Sequence, residues 1–246
     1  MLVGARFEGV EEGPRAVNDW GGLGWQAATR VAPSGGPADR EQWAPCGVLG
    51  LMIIVLDPSE AQASFAAGTQ RCASCSGVLA PWGYATQRVV RGREGTVSLR
   101  PPRVRCRSCR VTHVVVPARF LPRASATAEV VGDVLVQAAG GRGHRRIAAG
   151  LGVAADTVRG WIRRATANAE RLRDLGTVTA VAFDPESAPI NSRRGALADA
   201  VESLAVAAMA VRRRLGVSTV PAWVEPWHLI AAICRGALLR PPPRSG

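Results

Sequence analysis

The sequence predicts an α+β fold, with a small β unit first, then a helix pair and Ala-rich C-terminal helices. Three observations predict it. Short β-branched runs separated by Gly, Pro and Ser fill residues 71–120. Apolar residues recur at helical spacing from residue 126 onward. The chain has 246 residues, 47% of them hydrophobic, which suffices for one or two small domains. With only 20% charged residues, disorder over the full length is excluded as a class.

Residues 1–51 stand apart. They hold 10 Gly, 4 Pro and the tryptophans Trp20, Trp25 and Trp43, with no sustained period. This composition predicts a poorly ordered segment, and a non-native upstream extension with Met52 as the true start is the expectation. Met52 to Leu56 reads as a short strand closed by Asp57-Pro58. The apolar run Gly47 to Leu56 is about half of the roughly 20 residues a membrane-spanning helix needs, so no membrane role is expected. No export signal is visible at the N-terminus.

Within 52–122, Ala85 to Arg91 and Thr96 to Leu99 flank Gly92-Arg93-Glu94-Gly95, a tetrad suited to a hairpin turn. Val111 to Val116 is a further strand, stopped by Pro117. Within 123–175, Val130, Val131, Val134, Leu135 and Ala138 form a helical stripe. Ser125 is available as N-cap, Glu129 falls in the first turn, and Gly140-Gly141 form the stop. Residues 176–246 are a linker and C-terminal helices of unassigned role. Leu197, Val201, Leu204, Ala208, Val211 and Leu215 form one stripe, which would serve either packing within the chain or pairing into a homodimer. A last helix is expected from Trp227 to Leu239, then a frayed Pro-rich tail.

The strongest chemical signal lies in the cysteines. Cys72/Cys75 and Cys106/Cys109 are two Cys-x2-Cys pairs separated by 30 residues. Two residues between cysteines let both thiolates of a tight turn face one ion. Two such turns complete the tetrahedral four-sulfur shell of structural zinc, a zinc ribbon. Disulfides lack a secretion signal, and a redox pair lacks the βαβ context it needs. His113 is an alternative ligand, although a strand residue is the simpler reading. Cys46 and Cys234 have no partner spacing and read as free thiols.

The net charge is +12, and all 31 basic residues are arginine. Residues 71–173 hold 19 Arg against five acids, a net +14, whereas the remainder holds 12 Arg against 14 acids, a net −2. Codon bias explains arginine in place of lysine but not this clustering. The middle segment therefore predicts a polyanion partner. Arg71, Arg103, Arg105, Arg107 and Arg110 would form a basic rim around a four-thiolate centre.

The stretch Gly143 to Arg164 reads as helix, turn, helix. Ile147, Ala148 and Leu151 line one face of the first helix, and Gly152 permits the turn. Val158, Trp161, Ile162 and Ala165 line the inward face of the second. The outward face then carries Asp156, Arg159, Gly160 and Arg163, and Thr157 is a further candidate for DNA contact. Arg159 and Arg163 would reach base edges in the major groove of double-stranded DNA. Arg145, Arg146 and Arg164 would suit phosphates. Ala154 stands where Ser or Thr usually caps, at a cost of roughly 1 kcal/mol. Asp156 has the wrong sign for a phosphate.

Cys-x2-Cys, Pro81-Trp82-Gly83, the run Leu99 to Val114 and Gly141 to Ala148 together resemble a family of actinobacterial proteins of unknown function. These pair a zinc ribbon with a helix-turn-helix and are similar to the N-terminal DNA-binding half of insertion-sequence transposases. The resemblance covers roughly residues 53–175 and implies a bacterial cytoplasmic, nucleoid-associated DNA-binding protein. Where the family has Gly after the second cysteine turn, this chain has Arg110, which predicts a looser turn.

A catalytic transposase domain would need three carboxylates holding two metal ions. Val178 to Phe183 followed by Asp184 resembles a strand delivering one of them, or an irregular linker strand before Pro185. Only 62 residues follow Asp184, and the remaining acids are Glu186, Asp199, Glu202 and Glu225. The expectation is a non-catalytic DNA-binding protein, transposase-like or transcription-regulatory. The alternatives are a transposase fragment needing a separate catalytic chain and a zinc-stabilised protein-interaction module.

Overall fold

The computed structural model describes residues 52–186 and 195–240. The expectations for residues 1–51, including Cys46, and for the tail beyond Arg240 lie outside the described residues. The chain order is β1 (Met52–Val55), α1 (Pro58–Ala66), β2 (Leu79–Tyr84), β3 (Arg88–Arg91), β4 (Thr96–Leu99), β5 (Pro102–Cys106) and β6 (Thr112–Pro117). Six helices follow: α2 (Ala128–Ala139), α3 (His144–Leu151), α4 (Ala155–Ala167), α5 (Ala169–Phe183), α6 (Ala196–Thr219) and α7 (Pro226–Ile233). The architecture is mixed α+β, with a small sheet and seven helices among the described residues.

Four strands form one sheet in the order β1-β6-β5-β2, in which β1 runs parallel to β6 and the other pairs are antiparallel. Strand alternation gives the sheet two faces. Val55, Val115, Val104, Cys106 and Leu79 pack with Ala61 and Phe65 of α1 into a small core. Ile54 and Val116, on the opposite face, enter the large core formed by the helices. The helices thus cover the β1–β6 half of that face. Arg103, paired with Val114, and Arg105, paired with Thr112, continue the same face on β5.

The hairpin β3–β4 forms as its turn residues predict, with the Gly92 N–H donating to the Gly95 carbonyl at 2.6 Å. It does not join the four-stranded sheet. Val90 and Leu99 instead enter the helical core, and the Arg91 N–H donates to Ser125 O at 2.9 Å. Arg93 makes paired bonds to Asp133 of α2 at 2.8 and 2.9 Å and reaches Glu225 at 2.7 Å.

Several expectations need correction. Helix α1 has no counterpart among the elements expected from the sequence. It begins at Asp57, whose carboxylate accepts the Ser59 N–H at 3.0 Å, with Pro58 in the first turn. The N-cap position of α2 belongs to Thr127 rather than Ser125, and its hydroxyl makes no capping bond. Val178 to Phe183 is no strand of any kind, because it is the last part of α5. The boundary drawn after residue 175 falls inside that same helix, which packs along α6. Helix α6 carries the anticipated stripe, with Leu204, Ala208 and Val211 buried within the chain, and kinks at Gly216. Helix α7 stops at Ile233, short of Leu239. No helix among the described residues is long and apolar enough to cross a membrane.

Candidate functional site

Cys72, Cys75, Cys106 and Cys109 come together, with all four sulfurs within 4.8 Å of one another. Cys72 Sγ lies 3.7 Å from Cys109 Sγ, and Cys75 Sγ lies 3.4 Å from Cys106 Sγ. A tetrahedron with metal–sulfur bonds of about 2.3 Å has edges of about 3.8 Å. The spacing is therefore compatible with a metal site. The first cysteine of each pair is buried and the second exposed.

The two turns are built alike. The Ser76 N–H donates to Cys72 O at 2.8 Å, and the Arg110 N–H donates to Cys106 O at 3.2 Å. The Cys72 N–H donates to Gly77 O, and the Cys106 N–H donates to Val111 O. Ser76 and Arg110 both adopt left-handed backbone, with φ of 59° and 65°. Arg110 thus takes the conformation that glycine would take, and its turn closes as the first one does. Gly77 brings the two turns together. A Cβ there would meet Ser108 Oγ at 2.5 Å and Cys106 Sγ at 2.9 Å.

Two thiols of the cluster are shifted in opposite directions. Burial pushes the Cys106 thiol up, but the Cys109 and Ser108 N–H groups and the Cys75 thiol outweigh it and bring it to about 6. At Cys109 the Val111 N–H acts to lower the value, yet the neighbouring thiols and burial push it to about 12. One thiolate is therefore accommodated by backbone N–H groups, whereas four need positive charge at their centre. His113, buried on β6, places Nε2 3.6 Å from Cys72 Sγ, beside a cysteine of the cluster. Of the expected rim, Arg71, Arg103, Arg107 and Arg110 are exposed. Arg105 donates from Nε to Arg110 O at 3.0 Å and lays its guanidinium over the Trp82 ring at 4.5 Å. Cys234, outside this cluster, is a buried free thiol whose value burial pushes to about 12.

The second candidate surface is the helix pair. Helix α3 ends at Gly152, whose φ of 59° is the left-handed stop expected of it. Ile147, Ala148, Val158, Trp161 and Ala165 are buried, and Leu151, Val153 and Ile162 pack against them. Ala154 supplies no side-chain cap to α4. Arg91 of the hairpin donates to Leu151 O at 2.9 Å, which satisfies a carbonyl at the end of α3.

The outward face of α4 presents Arg159 and Arg163, both exposed and one turn apart. Together with Arg142, His144, Ile162, Ala138 and Gly141 they line a shallow groove. Asp156 is almost fully exposed and lies 3.7 Å from Arg159. Arg145 and Arg146 are exposed on α3. Thr157 is half-buried, and so is Arg164, whose buried Nε has no partner among the described residues.

A buried network with no signature in the sequence joins α2 to α7. Glu129 accepts from Arg119 at 2.9 Å, and its other oxygen lies 3.2 Å from His228 Nε2. The Glu225 N–H donates to His228 Nδ1, which puts the imidazole proton on Nε2, facing Glu129. Both ring nitrogens are thereby engaged. The Glu129, Glu225 and His228 ligand atoms lie within 4.8 Å of one another, and these residues bond to each other and to Arg93 and Arg119. Asp184 ends α5 and accepts from Arg213 at 2.6 Å, and Glu225 accepts from Arg93.

Compared with family models, curated proteins and solved structures, the chain matches none.

Proposed function

We propose that this chain is a non-catalytic DNA-binding protein in which a structural zinc ribbon supports a helix-turn-helix. The observation that carries the reading is the outward face of α4. Arg159 and Arg163 stand exposed one turn apart there, beside Arg142 and His144. An exposed helix bearing arginines at this spacing suits the major groove, where arginine bonds the O6 and N7 of guanine. Arg145 and Arg146 on α3 suit the flanking phosphates. The four-sulfur set fits zinc because thiolates are soft donors, and because four ligands close the shell as in structural sites. The cation offsets the thiolate charge and fixes the two cysteine turns. A protein of this type, an orphan transposase-like or regulatory factor, would act by occupying a site rather than by cutting it.

The test is selection of bound sequences from random duplex DNA, with metal content measured on the same preparation. Affinity is expected to fall steeply with salt, and Arg145→Ala or Arg146→Ala each to lower the salt slope by about 1. Arg159→Ala with Arg163→Ala is expected to abolish sequence preference, each bidentate arginine–base pair being worth about 1–3 kcal/mol of discrimination. An unchanged preference in that variant removes the recognition role from α4.

A further inference from the structure

Strand β2 is the outer strand of the four-stranded sheet, on the side away from the helical core. It carries Trp82, 56% exposed, and Tyr84, the chain's sole tyrosine, 44% exposed. Phe65, Phe120 and Trp161 are buried, whereas Trp223, between α6 and α7, is 51% exposed. Each exposed ring on β2 has an arginine stacked on it, Arg105 over Trp82 at 4.5 Å and Arg100 over Tyr84 at 5.1 Å.

From this edge we infer that β2 and β5 form a stacking site for unpaired nucleobases, so that the chain binds single-stranded nucleic acid apart from any duplex contact at α4. Every base has a π-face, and aromatic rings flanked by cationic groups stack on it without sequence preference. The Arg105 guanidinium is already held by the Arg110 carbonyl, so it needs no ordering when a strand arrives. More than half of Trp82 remains in water although Arg105 covers part of it.

The surroundings suit a phosphate backbone. The segments 71–84 and 100–110, which contain β2, β5 and both cysteine turns, carry Arg71, Arg100, Arg103, Arg105, Arg107 and Arg110 and no acid. Arg103 and Arg107 are exposed on β5 and the turn after it. Gly83, between the two rings, has open space where a Cβ would stand, so a sugar-phosphate chain can approach the main chain there. An acidic protein segment would match the charge but would have no use for two ring faces already paired with arginine.

The test uses the full chain with its metal and measures fluorescence anisotropy. The probes are labelled oligo-dT and oligo-U of about 12 nucleotides, with a duplex alongside. Binding of either single strand is expected, and the two arms separate DNA from RNA as its source. Trp82→Ala with Tyr84→Ala is expected to weaken single-strand binding by about tenfold or more per ring and to leave duplex affinity unchanged. Trp82→Phe with Tyr84→Phe is expected to retain most of the binding. Both rings are exposed, so metal content and circular dichroism should match the parent. Arg159→Ala with Arg163→Ala is expected to do the converse, weakening duplex binding alone. Equal losses on duplex and single strand in the β2 variant overturn the inference, as does single-strand affinity indifferent to both rings. Binding to a Glu-rich peptide with no binding to either single strand also overturns it and makes an acidic segment the occupant.

Discussion

The geometry of the sulfur cluster rests on two residues beside the cysteines. Gly77 lies where the two turns touch, and a methyl group there would press on both Ser108 and Cys106. Gly77→Ala is therefore expected to lower metal affinity by about tenfold or more, as a disturbed supporting contact does at other metal sites. Competition with a chromogenic chelator measures this, and unchanged affinity would mean that the two turns do not close on one ion. Arg110 is the opposite case. It holds a left-handed conformation that costs a side-chain-bearing residue roughly 1 kcal/mol. Arg110→Gly relieves that strain but adds freedom to the unfolded chain, so a net gain of up to about 1 kcal/mol is expected. The urea midpoint of the metal-loaded protein reads it. A loss of stability would show that the arginine side chain contributes more to the native state than its backbone conformation costs.

At the scale of elements, the sequence was most legible where spacing and turn chemistry agree. The hairpin followed from Gly92 to Gly95, the α2 stripe from its period, and the four cysteines from their pairing. Helix α1 was missed although Asp57-Pro58-Ser59-Glu60 carries a cap, a first-turn proline and an early acid. The end of α5 looks like a strand in sequence because Val178, Thr179 and Val181 are β-branched. Packing along α6 overrides that preference, with Leu172, Gly176, Thr179 and Ala180 facing inward at helical spacing. The Glu129–His228 contact joins residues 99 apart, so no local signal announces it. That contact makes α2 sensitive to pH. Burial alone would raise Glu129, but the His228 hydrogen bond, a backbone hydrogen bond and the Arg119 charge bring its pKa to about 2. A depressed carboxylate stabilises the fold above its unfolded value of about 4.5, and this contribution is lost as pH falls towards 2. The amount is up to about 3 kcal/mol. Glu129→Gln is expected to lose stability at pH 7 and to show a flatter acid limb over that window in denaturant titrations. An acid limb identical to the parent's would remove Glu129 from the linkage.

The whole molecule has two cores of unequal size that meet across one sheet. The smaller contains two of the cysteines, Cys72 and Cys106, together with a few side chains of α1 and the strands. So little apolar surface, with two thiols in it, is the situation in which a bound metal supplies much of the folding energy. The larger core is built from helices, from Val90 and Leu99 of the hairpin and from Ile54 and Val116 of β1 and β6, and none of the four clustered cysteines is in it. The hairpin lies in sequence between the two cysteine pairs, yet Arg91 and Arg93 fasten it to Ser125, Leu151 and Asp133 on the helical side. Chelation is therefore expected to divide the molecule along packing rather than along the chain. Amide hydrogen exchange should accelerate in β2, β5 and both cysteine turns, while β3–β4 and α2 to α7 keep most of their protection. Helical circular dichroism should change little, because among the described helices only α1 contributes side chains to the smaller core. The binding proposed for α4 should weaken less than that proposed for β2, since Arg105 adjoins Cys106 on β5 and the strand carrying Trp82 pairs with β5. Uniform loss of protection would instead mean that the two cores fold as one unit and that the metal stabilises the helices as well.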